Sequence, residues 1–223
     1  MNHFDPQNML TFDLETTTND PMEAHIVTSA IVSIKGRSVE PLELLADPGV
    51  PISEAATKVH GISTDYAREH GRPHDEVLRE TIDRIYQGWS DGQSLVVFNG
   101  TFDLTILRQR SQDFVIKGLV YDPYVIDKAK DPYRKGRRTL GSLCEFYGVR
   151  LDNAHEATAD ALAAARIAWK QLRMWPELAQ MDADELMEQQ AVWYYEQQSS
   201  LKKYLDSRGK DSSTVSTVWP MRG

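Results

Sequence analysis

The chain has almost no cysteine and no long apolar run. Its single cysteine, Cys144, excludes a disulfide within the chain, and its apolar neighbours indicate a buried thiol. No apolar stretch is long enough to cross a bilayer. The first residues have neither the basic start nor the apolar core of a secretory signal. We therefore expect a cytoplasmic protein without membrane association.

Positive charges are outnumbered by negative ones, with 25 lysines and arginines against 33 aspartates and glutamates. The formal net charge of −8 over 223 residues argues against a general electrostatic affinity for nucleic acid. The segment "YRKGRRTL" departs from that sign, because it gathers Arg134, Lys135, Arg137 and Arg138. This cluster is either a solvated surface loop or a surface that contacts the phosphates of a single strand.

The order of the periodic segments predicts the fold class. Three runs of β-branched and apolar residues, joined by short turns, predict an antiparallel meander, and "SLVVFNG" predicts a strand buried in the middle of a sheet. A further strand is expected near "KGLVYDPYVID", and helical patterns occur between and after these strands. Strands followed by alternating helices and strands indicate an α/β domain with a mixed sheet.

The pattern changes at Pro176. Beyond it a long polar helix carries a narrow apolar stripe, which predicts that the helix packs across the domain or mediates self-association. The stripe consists of Met187, Ala191, Tyr194, Leu201 and Leu205. The last residues are expected to dock only through Val218 and Trp219. We therefore divide the chain into a domain at 1–176 and a C-terminal helix and tail at 177–223.

The first strand carries two carboxylates, Asp13 and Glu15, within "MLTFDLETTT". Successive strand residues point to opposite faces, so these two side chains share one face. Neighbouring like charges are costly unless a cation lies between them. The pair alone is a weak signal, because charged residues are also common where an edge strand leaves the core.

Two further carboxylates are expected near the same sheet edge. Asp103 lies in the first turn of the helix after the central strand, where the helix dipole would also stabilise it. Asp160 lies in the first turns of an alanine-rich helix, whose small side chains allow close packing on a sheet. Five helical residues rotate by about 500°, so His155 could share a face with Asp160 only from outside the helix. His155 alone is more often a surface or capping residue.

The ordered set D-x-E, then N-x-x-x-D, then H-x-A-x-x-D resembles the DEDDh family of 3′–5′ exonucleases. This DnaQ-like family includes the proofreading epsilon subunit of bacterial DNA polymerase III. The segments "AATKVHGIS" and "TLGSLCEFYGV" are similar to further family segments. Phe98 and Thr18 depart from the family pattern, where many members have histidine and glycine.

The resemblance implies a fold, a cofactor and a set of catalytic residues. The fold is a ribonuclease-H-like mixed five-stranded sheet flanked by helices, with the C-terminal helical extension added. The cofactor is a pair of Mg²⁺ or Mn²⁺ ions, one surrounded by Asp13, Glu15 and Asp160, and the second bridged by Asp13 and supported by Asp103. His155 would be the general base.

The resemblance also implies a substrate, the 3′ end of single-stranded DNA, and nucleoside 5′-monophosphates as products. The expected substrate contacts are Thr16, Thr17, His60, Ile62, Asn99 and Phe102. For "HGIS" a simple turn set by Gly61 is an equally good interpretation. A DNA polymerase or another replication protein is a possible partner, and the C-terminal helix a possible homodimer contact.

Three alternatives stay open on the sequence. An exoribonuclease of the same family would share every catalytic residue. A non-catalytic binding module of a replication complex would be suggested by loss of an acidic ligand, and none is lost. An acidic interaction protein with accidental motif matches would fail to bind Mn²⁺.

Overall fold

A six-stranded mixed sheet forms the centre of the molecule. The computed structural model describes residues 3–151 and 156–222. The strands are Asn8–Thr16 (β1), Ile26–Lys35 (β2), Ser38–Asp47 (β3), Arg72–Pro73 (β4), Ser94–Val96 (β5) and Val120–Tyr121 (β6). Their order in the sheet is β4-β3-β2-β1-β5-β6.

The sheet topology confirms the predicted meander and central strand. β1, β2 and β3 pair antiparallel, while β5 pairs parallel with β1 and β6 parallel with β5. The sixth strand, β4, adds two residues parallel to β3. It had no sequence signal, because Arg72–Pro73 is too short for a period-two pattern and proline is atypical of strands.

Eight α-helices and one 3₁₀ helix lie within the described part of the chain. They are Glu54–His60 (α1), Thr64–His70 (α2), His74–Ser90 (α3), Thr101–Arg110 (α4), Pro123–Lys130 (α5), Leu140–Tyr147 (α6), Ala157–Met174 (α7), the 3₁₀ turn Pro176–Ala179, and Ala183–Ser207 (α8). Side chains at Ser53, Thr139 and Asp182 accept a hydrogen bond from an amide of the first turn of α1, α6 and α8.

The two faces of β1 pack against different helices. Leu10, Phe12 and Leu14 belong to a core with Val77 of α3 and Leu104 of α4. On the opposite face, the core includes alanines and a leucine of α7 and Leu186 of α8, with Met9 of β1. Because the side chains of β1 alternate, Asp13 and Glu15 lie on the α7 face.

α8 packs on the domain through its first half. Leu186, Gln190 and Tyr194 are buried. The Gln190 amide accepts a hydrogen bond from the Asp122 backbone N–H at 2.8 Å and donates one to the Val120 carbonyl at 2.8 Å. The first half of α8 is therefore part of the packed domain, and self-association through the second half stays a prediction.

The C-terminal tail returns to the domain at α4. Trp219 packs against the core that includes Leu104, and the Arg222 backbone N–H donates to the Thr105 hydroxyl at 2.9 Å. Val218 is 54% exposed. Of the predicted docking pair, Trp219 therefore makes the contact and Val218 faces solvent.

Cys144 is buried, as its apolar neighbours predicted. It packs with Leu143 and Ile167 between α6 and α7. Among the helices at 3–151 and 156–222, none combines the length and the apolar character that a membrane crossing requires.

Candidate active site

Three carboxylates converge where β1 meets α7. One carboxylate oxygen from each of Asp13, Glu15 and Asp160 lies within 4.8 Å of the others. The Thr11 hydroxyl donates to the Ala161 carbonyl at 2.8 Å, which fixes the first turns of α7 against β1. The alternation of the strand and the early position of Asp160 in its helix therefore give the predicted juxtaposition.

Asp103 joins the cluster from the first turn of α4. It is 4% exposed, and one of its carboxylate oxygens accepts a hydrogen bond from the Leu14 backbone N–H at 3.3 Å. Leu14 lies between Asp13 and Glu15 in β1, so the bond places Asp103 beside both of them. Its charge contributes to the raised pKa of Asp13.

Burial and neighbouring charges disfavour the ionisation of three carboxylates of the cluster, Asp13, Glu15 and Asp103. Burial raises the pKa of Asp13 well above its ordinary value, and the charges of Asp103, Glu15 and Asp160 raise it further. The pKa of Glu15 rises to about 7 through burial and the charge of Asp160. Burial raises the pKa of Asp103 to about 8, although the Leu14 backbone N–H acts in the opposite direction. Such a cluster ionises readily only beside a cation.

The donor set fits a divalent metal ion. Asp13, Glu15 and Asp160 offer three closely spaced oxygen ligands, and Asp103 adjoins them. Carboxylate oxygens are the hard donors that Mg²⁺ and Mn²⁺ take in proteins, with water in the remaining positions.

A cavity of about 460 Å³ adjoins the carboxylates. Its lining includes Glu15, Thr16, Val59, His60 and Phe102, so it is acidic at one end and largely apolar elsewhere. Three of the predicted substrate contacts, Thr16, His60 and Phe102, thus share one cavity with a carboxylate of the cluster.

His60 is held in a defined orientation within this cavity. Its Nδ1 accepts a hydrogen bond from the Ile62 backbone N–H at 3.1 Å, which leaves the proton of the neutral ring on Nε2. Burial lowers the pKa of His60. The neutral imidazole is therefore the form present at pH 7. It carries no positive charge that could compensate the carboxylates.

The other predicted substrate contacts make structural interactions. The buried Thr17 hydroxyl accepts from the His25 backbone N–H at 3.0 Å. Ile62 packs against a small core that includes Val27 and Ile52. Asn99 is exposed at the carboxyl end of the central strand, with φ at +54°.

Asp122 supports the loop before α4 and was not singled out in the sequence. It is 0% exposed and accepts hydrogen bonds from the backbone N–H groups of Asn99, Gly100, Tyr124 and Val125 at 2.9 to 3.4 Å. It thereby joins the start of α5 to the turn that leads into α4 and Asp103. Its sequence signal was modest: an N-cap aspartate followed by proline.

His155, the predicted general base, lies outside the described residues. α7 begins at Ala157.

The basic segment is divided between two environments. Arg134 and Arg138 are largely buried and both pair with Asp127. Lys135 and Arg137 are exposed. The solvated-loop interpretation therefore does not hold for the two arginines that pair with Asp127, and it remains open for the other two cations.

Comparisons with known proteins converge on nucleases. Residues 10–168 match the model of the RNase_T exonuclease family. The PolC-type DNA polymerase III of Listeria innocua is 29% identical over 166 residues, which cover 73% of this chain and 11% of that protein. The chain therefore spans about a tenth of the length of the curated relatives it matches.

Solved structures share the fold at low identity. Escherichia coli exonuclease I in complex with a dA16 oligonucleotide superposes with a TM-score of 0.60 at 19% identity, covering 78% of this chain and 42% of that chain. A 3′-exonuclease that recognises the histone mRNA stem-loop superposes with a TM-score of 0.60 at 17% identity, covering 78% and 84%. Identities this low show the common fold only.

Proposed function

Because this chain belongs to the exonuclease family as a DnaQ-like 3′–5′ exonuclease, we propose that it shortens single-stranded DNA from the 3′ end and releases nucleoside 5′-monophosphates. The observation that carries the proposal is the convergence of Asp13, Glu15 and Asp160 within 4.8 Å beside a cavity lined by Thr16 and His60. A site for two-metal hydrolysis requires acidic ligands next to a space that accepts the terminal nucleotide.

In this proposal the carboxylates hold two divalent ions. Asp13, Glu15 and Asp160 would ligate the first, Asp13 would bridge to the second, and Asp103 would support the second. When bound, such ions stabilise the charge on the attacking and leaving oxygens of an in-line displacement at phosphorus. Mg²⁺ and Mn²⁺ both suit the oxygen donors.

The protein's own groups supply orientation and proton transfer. Thr16, His60 and Phe102 line the cavity and would hold the terminal nucleotide, with Asn99, Thr17 and Ile62 as the remaining predicted contacts. His155 would take a proton from the attacking water as its oxygen bonds to phosphorus and the bond from phosphorus to the 3′-oxygen breaks. An imidazole with an ordinary pKa near 6.5 suits this role at neutral pH.

The domain division and the partners belong to the same proposal. Residues 1–176 would form the exonuclease domain, and 177–223 an extension docked on it by Gln190 and Trp219. The similarity to PolC-type polymerases favours a function with a polymerase or another replication protein. Dimerisation through the second half of α8 would double the mass measured in solution.

The test is degradation of 5′-labelled single-stranded DNA and RNA of identical sequence, with Mg²⁺ or Mn²⁺. We expect a ladder that shortens from the 3′ end of the DNA and is abolished by Asp13→Ala and by His155→Ala. The exposed Asp113→Ala is the matched control and should leave the ladder unchanged. Preferential loss of the RNA would favour the exoribonuclease, for which the fold shared with the histone mRNA 3′-exonuclease is the supporting observation.

If neither strand is degraded while Mn²⁺ still binds, the catalytic proposal fails and a non-catalytic binding module becomes the better description. If neither strand is degraded and Mn²⁺ does not bind, the metal site fails as well.

A further inference from the structure

A second cavity, of about 560 Å³, lies between α5, the loop after it and α8. We call it the α5–α8 pocket. Its lining includes Lys128, Arg134, Arg138, Trp193 and Gln197. Glu196 is the one acidic residue of that lining. The lining thus holds three cations and one acid, while two further acids outside it, Asp127 and Asp131, pair with its arginines.

The arginines of the pocket are fixed in place. Asp127, which is 0% exposed, pairs with both Arg134 and Arg138 and accepts a hydrogen bond from the Tyr147 hydroxyl at 2.6 Å. Arg138 also donates to the Arg134 carbonyl at 3.0 Å. Arg134 Nε also lies 3.5 Å from the Asp131 carboxylate. Both guanidinium groups are therefore held in place and would meet a ligand without further side-chain ordering.

Lys128 is the third cation of the pocket lining and has no carboxylate partner among the ion pairs of the described residues. Lys128 is half-buried, and its Nζ lies 3.4 Å from the Tyr124 hydroxyl. Burial lowers the pKa of Lys128, and the charge of Arg138 lowers it further. An anion in the pocket would remove the repulsion between Lys128 and Arg138.

Two buried polar atoms in the pocket wall, Arg134 Nη1 and Gln197 Oε1, lack a hydrogen-bond partner among the described residues. Buried polar atoms are normally paired, so the Arg134 Nη1 donor favours an acceptor such as a phosphate oxygen, whereas the Gln197 Oε1 acceptor needs a donor that a phosphodiester does not carry. Trp193 adds an aromatic surface, over which Lys130 Nζ lies 5.3 Å from the ring centroid.

α5 connects this pocket with the carboxylate edge. The helix begins at Asp122, which holds the backbone of Asn99 and Gly100, and the ring of Tyr124 contacts that of Phe98 at 5.7 Å between centroids. Its eight residues span about 12 Å. A strand leaving the carboxylates along α5 would therefore reach the pocket within a few nucleotides.

We propose that the α5–α8 pocket binds a backbone phosphate of the substrate strand upstream of its 3′ end, with Lys128, Arg134 and Arg138 facing the phosphate and Trp193 facing the sugar or base. The proposal rests on the proposed function, because it needs a nucleic-acid strand whose end lies at Asp13 and Glu15. Fixed cations beside an aromatic surface are the usual elements of single-strand binding.

The test is a binding titration of the full chain carrying Asp13→Asn, so that nothing is hydrolysed. Anisotropy of a 5′-labelled oligothymidylate is measured over a salt series, for a long strand and for a dinucleotide, with Lys128→Gln, Lys128→Arg and Arg79→Gln. Arg79 is exposed on α3, which packs against the opposite face of the sheet, and its replacement removes the same charge.

We expect Lys128→Gln to weaken binding of the long strand about threefold or more and to reduce the salt slope by about 0.7, the value for one phosphate contact on a single strand. Binding of the dinucleotide should not change. Lys128→Arg should restore the long-strand affinity, and Arg79→Gln should match the parent. Equal effects on both lengths, or an unchanged salt slope, would overturn the proposal.

Titration of the parent and of Lys128→Gln with inorganic phosphate tests whether the bound anion is a phosphate of the strand or a free phosphate ion. Lys128-dependent phosphate binding with an unchanged strand affinity would overturn the strand contact in favour of a small-anion site. Failure of the proposed function gives a different result. If the native chain degrades no strand while Lys128→Gln still weakens binding of the long strand, phosphate binding in the α5–α8 pocket is supported and the exonuclease activity is contradicted. If strands are degraded and Lys128→Gln binds them like the parent, only the proposed phosphate binding in the α5–α8 pocket is contradicted.

Discussion

Two regions of the molecule enclose carboxylates, and the side chains around these carboxylates are opposite in charge. Around Asp127 the fold brings two arginines and the Tyr147 hydroxyl to a single carboxylate. At the end of β1 it brings four carboxylates together, and burial and neighbouring charges raise the pKa of three of them, Asp13, Glu15 and Asp103. The first region pairs its acid with side chains of the chain itself, whereas the second offers oxygen ligands whose spacing fits a divalent cation. A structural acid and a metal-binding acid can thus be distinguished by what surrounds them.

The largest effect is expected at Asp127. Asp127→Asn leaves Arg134 and Arg138 without their buried counter-charge, and breaking a buried ion pair costs about 3–5 kcal/mol. Urea denaturation should show this loss in the free energy of unfolding. The matched control is Asp131→Asn, because Asp131 is 35% exposed and its contact with Arg134 is 3.5 Å long, so the cost should be about 0–1 kcal/mol. An equal loss of unfolding free energy in both variants would show that Asp127 is no more important to stability than the exposed Asp131.

A divalent ion should stabilise the carboxylate cluster and leave the Asp127 region unaffected. Mn²⁺ at about 100 times its dissociation constant stabilises by about 2.7 kcal/mol, which for a chain of this size is a rise in Tm of about 5–10 °C. Glu15 and Asp103 titrate at about 7 and about 8 without metal, so protons compete and the rise should shrink as the pH falls from 9 towards 6.

Thermal unfolding with and without Mn²⁺ over that pH range measures this effect. Asp13→Asn should remove the rise, while Asp113→Asn, which changes an exposed acid, should retain it. A rise that is independent of pH would argue against ligation by these carboxylates.

Asp103→Asn tests the cost of ionising this buried carboxylate, in EDTA. The pKa of Asp103 is raised to about 8 in the folded protein, so its contribution to stability is complete below about pH 4 and is lost as the pH rises through about 8. Asparagine does not ionise and escapes this loss. The variant should therefore be more stable than the native chain by about 1–2 kcal/mol or more at pH 9, and the difference should shrink steadily as the pH falls towards 4.

Tm measured across this pH range is the readout. Asp113→Asn should follow the native curve, since the exposed Asp113 lies outside the cluster. A variant less stable than the native chain at pH 9 would show that the Leu14 hydrogen bond outweighs the cost of ionising the buried Asp103.

The carboxylate cluster could be predicted because its signals are local. A period of two places Asp13 and Glu15 on one face, and the start of the alanine-rich helix places Asp160 beside them. The antiparallel meander and the buried central strand followed from the short connections and from the apolar run, and the structure confirms both. Each of these inferences needs only a few neighbouring residues.

The supporting contacts could not be predicted because they join distant segments. Asp122 gathers backbone N–H groups from two turns, and Gln190 binds β6 from a helix 70 residues further along the chain than Val120. Arg134 and Arg138 appeared as part of a charge run, and only the closure of the loop on Asp127 shows that they are paired. A polar side chain that satisfies remote backbone groups leaves no periodic pattern in the sequence.

The smallest effect is expected at Tyr147, whose hydroxyl donates a hydrogen bond to Asp127. Tyr147→Phe removes the hydrogen bond of 2.6 Å to Asp127 without changing the shape of the ring, so the two arginines remain as partners of the carboxylate. A hydrogen bond to a charged group contributes about 1.5–3 kcal/mol, and the remaining pairs should keep the cost near the lower end. Urea denaturation should place it below the cost of Asp127→Asn, with Tyr133→Phe, which is 93% exposed, as a neutral control. A cost equal to that of Asp127→Asn would mean that the hydroxyl, and not the pair of arginines, makes this buried carboxylate stable.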